Sequence, residues 1–238
     1  MKNQMQHDIG MELVNKIKQA IHESGINDNV FYRTFRSGRL PLVGLKPVFQ
    51  QYYYYIRTFP QILAGLSFRV ENEKVRLKLA RTVVSELGDD IGDAHFLMFE
   101  RVLTSLGVKL DNYQLVSYIP EAEALVVGIR DLFLNQPTAC ALGAHYVIEE
   151  FGFPMMVALY EGFRLYPSWK HEDFTYFYLH MLVEQEHVEW IQDALLAMAE
   201  NPETHAQAES GARQILTLLN TFWVGLDRIA QQQINSCM

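Results

Sequence analysis

Apolar residues in this 238-residue chain recur mainly every three or four positions, the spacing of one face of an α-helix. Alternating apolar and polar runs are few, and no Asn-Gly pair marks a hairpin. The pattern predicts an all-α chain. Helices are expected over about 8–24, 45–57, 60–71, 72–87, 93–107, 120–134, 137–162, 172–199 and 202–232. Pro60 opens the third of these, and the glycine-rich "GDDIGD" stops the fourth. "NDNVFYRTFRSGRL" reads as a loop with one helical turn, and "KLDNYQLVSYIP" reads as a loop. No repeat, low-complexity tract or linker divides the chain. Residues 1–238 are therefore expected to form a single domain, a helical bundle of seven to nine helices.

Composition narrows the function classes. Apolar residues make up 49% of the chain and aromatics 12%, enough for a large core that can also line a pocket. The net charge of −8 comes without a basic stripe, which argues against nucleic-acid binding. Two cysteines, Cys140 and Cys237, make no disulfide framework, and a reducing cytoplasm is the expected compartment. The opening "MKNQMQHDIGMELV" lacks the apolar centre of a signal peptide, and no apolar run is long enough to span a membrane.

Candidate chemistry concentrates in "HMLVEQEHVEW". His180, Glu184 and His187 stand at i, i+4 and i+7, so all three project within roughly 40° of one helical direction. Phe177, Leu179, Met181, Leu182, Val183, Val188 and Ile191 flank the stripe, leaving Gln185, Glu189 and Gln192 for solvent. An inward stripe of this kind needs a counter-charge, because a buried unpaired carboxylate costs several kcal/mol. A divalent metal would supply it, as imidazole and carboxylate suit iron, manganese and zinc. A charged surface face is the competing reading.

Two further segments carry inward carboxylates. "GAHYVIEEFGFP" offers Glu149 and Glu150. Glu150 shares a stripe with Gly143, Tyr146, Val147, Phe153 and Val157, whereas Glu149 aligns with His145, Gly152 and Met156, nearer the edge. "VVSELGDDIGDAHFLMF" offers Glu86 and His95, which would oppose each other on an unbroken helix. Gly88 and Gly92 interrupt that helix and let both turn into one site. Three Glu and three His on three regions suit two divalent ions with positions left open.

The order Glu, gap, His; then Glu on an alanine- and glycine-rich helix; then His-x-x-x-Glu-x-x-His resembles the haem-oxygenase-like di-iron oxidases and oxygenases. Their wider superfamily includes TenA-like and PqqC-like proteins. The likeness covers most of the chain from "SGRLPLVGLKPVFQQYYYYIRTFPQILAGL" onward. It implies a haem-oxygenase-like helical bundle and two iron ions, with manganese or a mixed Fe/Mn pair as alternatives, and neither haem nor nucleotide. It implies Glu86, His95, Glu150 (or Glu149), His180, Glu184 and His187 as ligands; the family more often has Asp where Glu184 stands. Dioxygen and a small organic metabolite would be the reactants, and a homodimer is expected. Tyrosines among Tyr52–Tyr55, Tyr54 above all, with Tyr146 and Tyr178, would line the pocket or relay electrons, or else serve as core aromatics. A metal-free TenA- or PqqC-like protein, with a thiamin-salvage or binding role, is the alternative. The nucleophilic cysteine of thiaminase II is replaced by Ala144, with Cys140 one turn earlier, and its partner glutamate by Leu219. His7 and His22 are the early histidines that a haem would need, and His22 lies in the polar "AIHESG".

Overall fold

The computed structural model describes residues 2–88, 93–109, 112–198 and 202–237, without the side chains of residues 2–8, 183 and 184. Among them are nine α-helices: α1 (Lys2–Glu23), α2 (Val30–Arg36), α3 (Leu42–Arg69), α4 (Glu73–Leu87), α5 (His95–Ser105), α6 (Pro120–Leu134), α7 (Thr138–Phe163), α8 (Thr175–Met198) and α9 (Pro202–Ser236). No strand occurs among the described residues, and three 3₁₀ turns lie between helices. Asn29 and Asn72 start α2 and α4 by accepting hydrogen bonds from the exposed N–H groups of the first turn.

Two expectations about helix limits are corrected. Pro60 does not open a new helix; α3 runs through it for 28 residues. An interior proline costs about 3 kcal/mol. Tyr52, Ile56, Phe59, Leu63 and Leu66 are buried on both sides of it, and each contributes roughly 1.5–3 kcal/mol. That burial outweighs the lost hydrogen bond. The segment after Asn27 is more ordered than a loop with one turn, because Phe31, Tyr32 and Phe35 bury against Phe49 and Trp223 and hold α2 in place.

α7 is the centre of the molecule. Its residues are apolar on nearly every side, the pattern of a helix buried all round. α8 and α9 pack along it, and α1, α2 and α6 complete its surroundings. α9 shows the complementary pattern, burying Ala208, Gly211, Ala212, Ile215, Leu219 and Trp223 along one face. α7 and α9 cross at two glycines. A Cβ on Gly143 would overlap the Ala208 carbonyl, and a Cβ on Gly211 would overlap the Cys140 carbonyl. One hydrophobic cluster includes residues of every helix. No helix among the described residues is long and apolar enough to cross a membrane. Cys140 and Cys237 are both free.

Candidate metal centre

Four helices bring buried histidines and carboxylates together. α4 ends at Leu87, just after Ser85 and Glu86, and Gly88 follows with a φ of 77°, a left-handed turn that glycine adopts without strain. α5 then begins at His95. Glu86 Oε2 lies 3.0 Å from His95 Nδ1 although nine positions separate them; Gly92, the second expected break, lies outside the described residues. The donor atoms of Glu86, His95 and His180 all lie within 4.8 Å of one another.

α8 supplies His180 and His187 from one face. His180 Nδ1 donates to the Tyr176 carbonyl at 2.8 Å, so its proton sits on Nδ1 and Nε2 keeps its lone pair. Burial and the neighbouring His95 imidazole push His180 down to about 3. His95 and His180 are in edge contact, with ring centroids 4.1 Å apart. His187 lies between Ser85 Oγ, 2.9 Å from its Nε2, and Glu149 Oε2, 3.3 Å from its Nδ1. Burial lowers the His187 pKa, but the Glu149 carboxylate outweighs it and raises the ring above its ordinary value. Glu184 stands on α8 between the two histidines, and its side chain is outside the described residues.

The two adjacent glutamates of α7 part company. Glu149, expected nearer the edge, is 3% exposed. Its Oε1 accepts from His145 Nε2 at 2.7 Å, and its Oε2 faces His187. Burial pushes its carboxyl upward, but the His145 hydrogen bond and the adjacent His187 ring outweigh that and hold it well below the usual carboxylate range. Glu86 behaves alike, with the His95, His187 and His180 imidazoles overcoming its burial. Glu150 sits about 100° further round the helix. It points toward α1, where Tyr146 Oη donates to its Oε2 at 3.0 Å and Lys18 pairs with its Oε1 at 3.3 Å. The geometry therefore brings Glu149, rather than Glu150, to the histidines.

A small cavity of about 30 Å³ lies beside Glu86, Glu149 and His180. Its tyrosines are Tyr52 and Tyr55, both within the expected 52–55 run, and Tyr176; Tyr54, Tyr146 and Tyr178 do not line it. Tyr52 and Tyr55 share the inward face of α3, whereas Tyr54 is turned to stack on Tyr118 at 4.2 Å. Tyr146 is occupied by Glu150, and Tyr178 is 40% exposed beside His171. Leu182, expected inward, is also exposed. Two participants were not anticipated, Ser85 and His145. His145 stands four residues before Glu149, so the i, i+4 pair was visible in the sequence as a signal. Cys140 lies away from this cavity, in a surface recess beside Gln214.

Residues 46–220 match the sequence profile of the iron-containing redox enzymes. The chain belongs to that family. The matched span runs from α3 to α9 and includes every histidine and glutamate described above. The chain is 25% identical over 203 residues to a 4-chloro-allylglycine synthase of Streptantibioticus cattleyicolor, covering 84% of this chain and 76% of that protein. It is 23% identical over 214 residues to a 4-aminobenzoate synthase of Chlamydia pneumoniae, covering 89% and 92%. Among solved structures, a CADD-like protein of unknown function from Nostoc punctiforme superposes with a TM-score of 0.75 at 19% identity, covering 94% of this chain and 99% of that one. The fold is the haem-oxygenase-like helical fold.

Proposed function

We propose that this iron-containing redox enzyme holds two iron ions and uses dioxygen to oxidise a small organic metabolite. Glu86, His95 and His180 would form one lobe of the centre, and Glu149, Glu184 and His187 the other. Manganese in one or both lobes fits the same donor types. The observation that carries the reading is the convergence of three imidazoles and two carboxylates from four helices beside one small cavity.

The donor set fits a metal on its own chemistry. His180 presents an Nε2 lone pair because its Nδ1 proton is committed to the Tyr176 carbonyl, a tie that commonly orients metal-bound histidines. His187 Nδ1 is buried without an aligned hydrogen bond. Glu86 and Glu149 are held in their ionised form by the surrounding imidazoles. When bound, iron would supply the dioxygen-dependent redox chemistry. The chain contributes apolar walls, from Ile56, Phe59, Ile148 and Met156. The cavity volume of about 30 Å³ matches roughly one water molecule. A metabolite therefore needs these side chains to move aside before it reaches the centre.

Anaerobic titration with Fe(II) tests the proposal. Binding of two equivalents, followed by a transient visible absorption when oxygen is admitted, is the expected result; purified protein that takes up no metal would sink it. The two glutamates of α7 give a sharper contrast. Glu149→Gln is expected to weaken metal uptake by more than the 10–100-fold typical of losing an outer partner. Glu150→Gln should stay within about threefold of the parent, since its carboxylate serves Tyr146 and Lys18. Equal losses in the two variants would contradict the assignment.

A second reading has one observation in its favour. Glu86 pairs with His95, and Glu149 with His145 and His187, so these side chains can balance one another's charge. A metal-free polar core with a binding role would look the same at these residues, and the metal content of protein produced with iron present separates the two.

A further inference from the structure

His145 does not line the cavity beside Glu86 and Glu149, yet it is completely buried and directed at Glu149. Its ring stands between Phe59 and Phe133, at centroid distances of 6.1 and 5.6 Å, both inclined by about 60°. These rings hold the plane of the imidazole. Its hydrogen bonds also fix its tautomer. A carboxylate oxygen accepts, so the 2.7 Å contact places the His145 proton on Nε2. Nδ1 is buried with no partner among the described residues. His145 thus acts toward Glu149 as a donor from one nitrogen.

The two oxygens of Glu149 therefore differ. Oε1 is taken by His145 at 2.7 Å, and Oε2 looks across to His187 at 3.3 Å. We infer that His145 is a positioning residue that ties up Glu149 Oε1 and so presents Oε2 alone to the metal of the Glu149/His187 lobe. The inference rests on the metal reading above and adds to it the binding mode of one ligand and the residue that sets it. The physical gain is orientation. A glutamate side chain has three rotatable bonds, and a charged hydrogen bond at one oxygen removes most of that freedom before the ion arrives. Without it, Glu149 keeps only His187, the very group that the metal must share. The other lobe has no such tie, because among the described residues the recorded partners of His145 are Glu149, Phe59 and Phe133.

The asymmetry between lobes gives the test a readout that a merely structural role would not move. Wild-type protein, His145→Phe and His145→Gln would each be titrated anaerobically with Fe(II), and separately with Co(II), following heat by calorimetry and the Co(II) absorption bands. Phenylalanine fills the Phe59/Phe133 slot but cannot donate; the glutamine amide can donate to Oε1. In His145→Phe the second equivalent is expected to bind 10–100-fold more weakly, with altered Co(II) bands, while the first equivalent keeps its affinity. His145→Gln should recover the second equivalent to within about threefold. Should His145→Phe fail to fold, His145→Leu replaces it in the same comparison with His145→Gln. Two equivalents bound at wild-type affinity by the phenylalanine or leucine variant would overturn the inference while leaving the metal centre intact. A wild-type protein that binds no metal would instead overturn the metal reading, and the inference with it.

Discussion

Replacing His180 by alanine is expected to cost the Glu86/His95/His180 lobe its metal and to lower dioxygen-dependent turnover by more than about 100-fold, beyond what loss of an outer partner costs. His180 is the one donor of this lobe whose free nitrogen is fixed by the fold itself. The Tyr176 carbonyl one turn earlier takes the Nδ1 proton, and burial with the adjacent His95 keeps the ring from charging until the pH falls to about 3. The Nε2 lone pair is thus available throughout the neutral range. Glu86 and His95 are already bonded to each other, so without His180 they form a two-donor pair rather than a three-donor site. Metal analysis after anaerobic loading, together with oxygen consumption, reads the effect, and circular dichroism checks that the helices persist. A variant that retains two equivalents at the parental affinity would remove His180 from the centre.

The largest effect on stability is expected where α7 and α9 cross. Gly143→Ala and Gly211→Ala should each destabilise the fold by about 3 kcal/mol, the upper part of the range for overpacking. For a chain of this size that is roughly 6–12 °C in Tm. The reason is the identity of the atoms that a methyl would meet. They are the Ala208 and Cys140 backbone carbonyls, which cannot swing aside as the end of a side chain can. Relief requires the helices to separate, and α7 carries both His145 and Glu149, so metal affinity should fall along with stability. Thermal melting followed by circular dichroism measures the first, and the Fe(II) titration the second. A Tm within about 2 °C of the parent for either variant would show that the crossing yields more easily than its geometry implies.

Much of the architecture was legible along the chain because helix formation follows a local period. The 120–134 helix has the same limits in the sequence pattern and in the structure. α7 and α8 differ by only a few residues from expectation, since Pro137 and the apolar run after it are local signals. The break expected at Pro60 was misleading for a physical reason. The cost of an interior proline is local, while the burial that offsets it comes from partners more than sixty positions away, such as Phe133 and Phe222. The tyrosines divided on the same grounds. Four consecutive aromatic positions at 52–55 cover the whole circumference of a helix, and only the packing of α3 decides that Tyr52 and Tyr55 face the cavity while Tyr54 meets Tyr118.

The sequence by itself determined that the chain is helical, that His180 and His187 share one face of a helix, and that Glu86 and His95 are separated by glycines able to reverse the chain. Each follows from spacing within a few turns. The tertiary structure alone decided which carboxylate of the 149–150 pair meets those histidines, which tyrosines wall the cavity, and that His145 and Ser85 hold two of the ring-facing groups. One residue along a helix is a rotation of 100°. Which direction becomes the interior is set by the helices that pack against it, and α7 is surrounded on nearly every side.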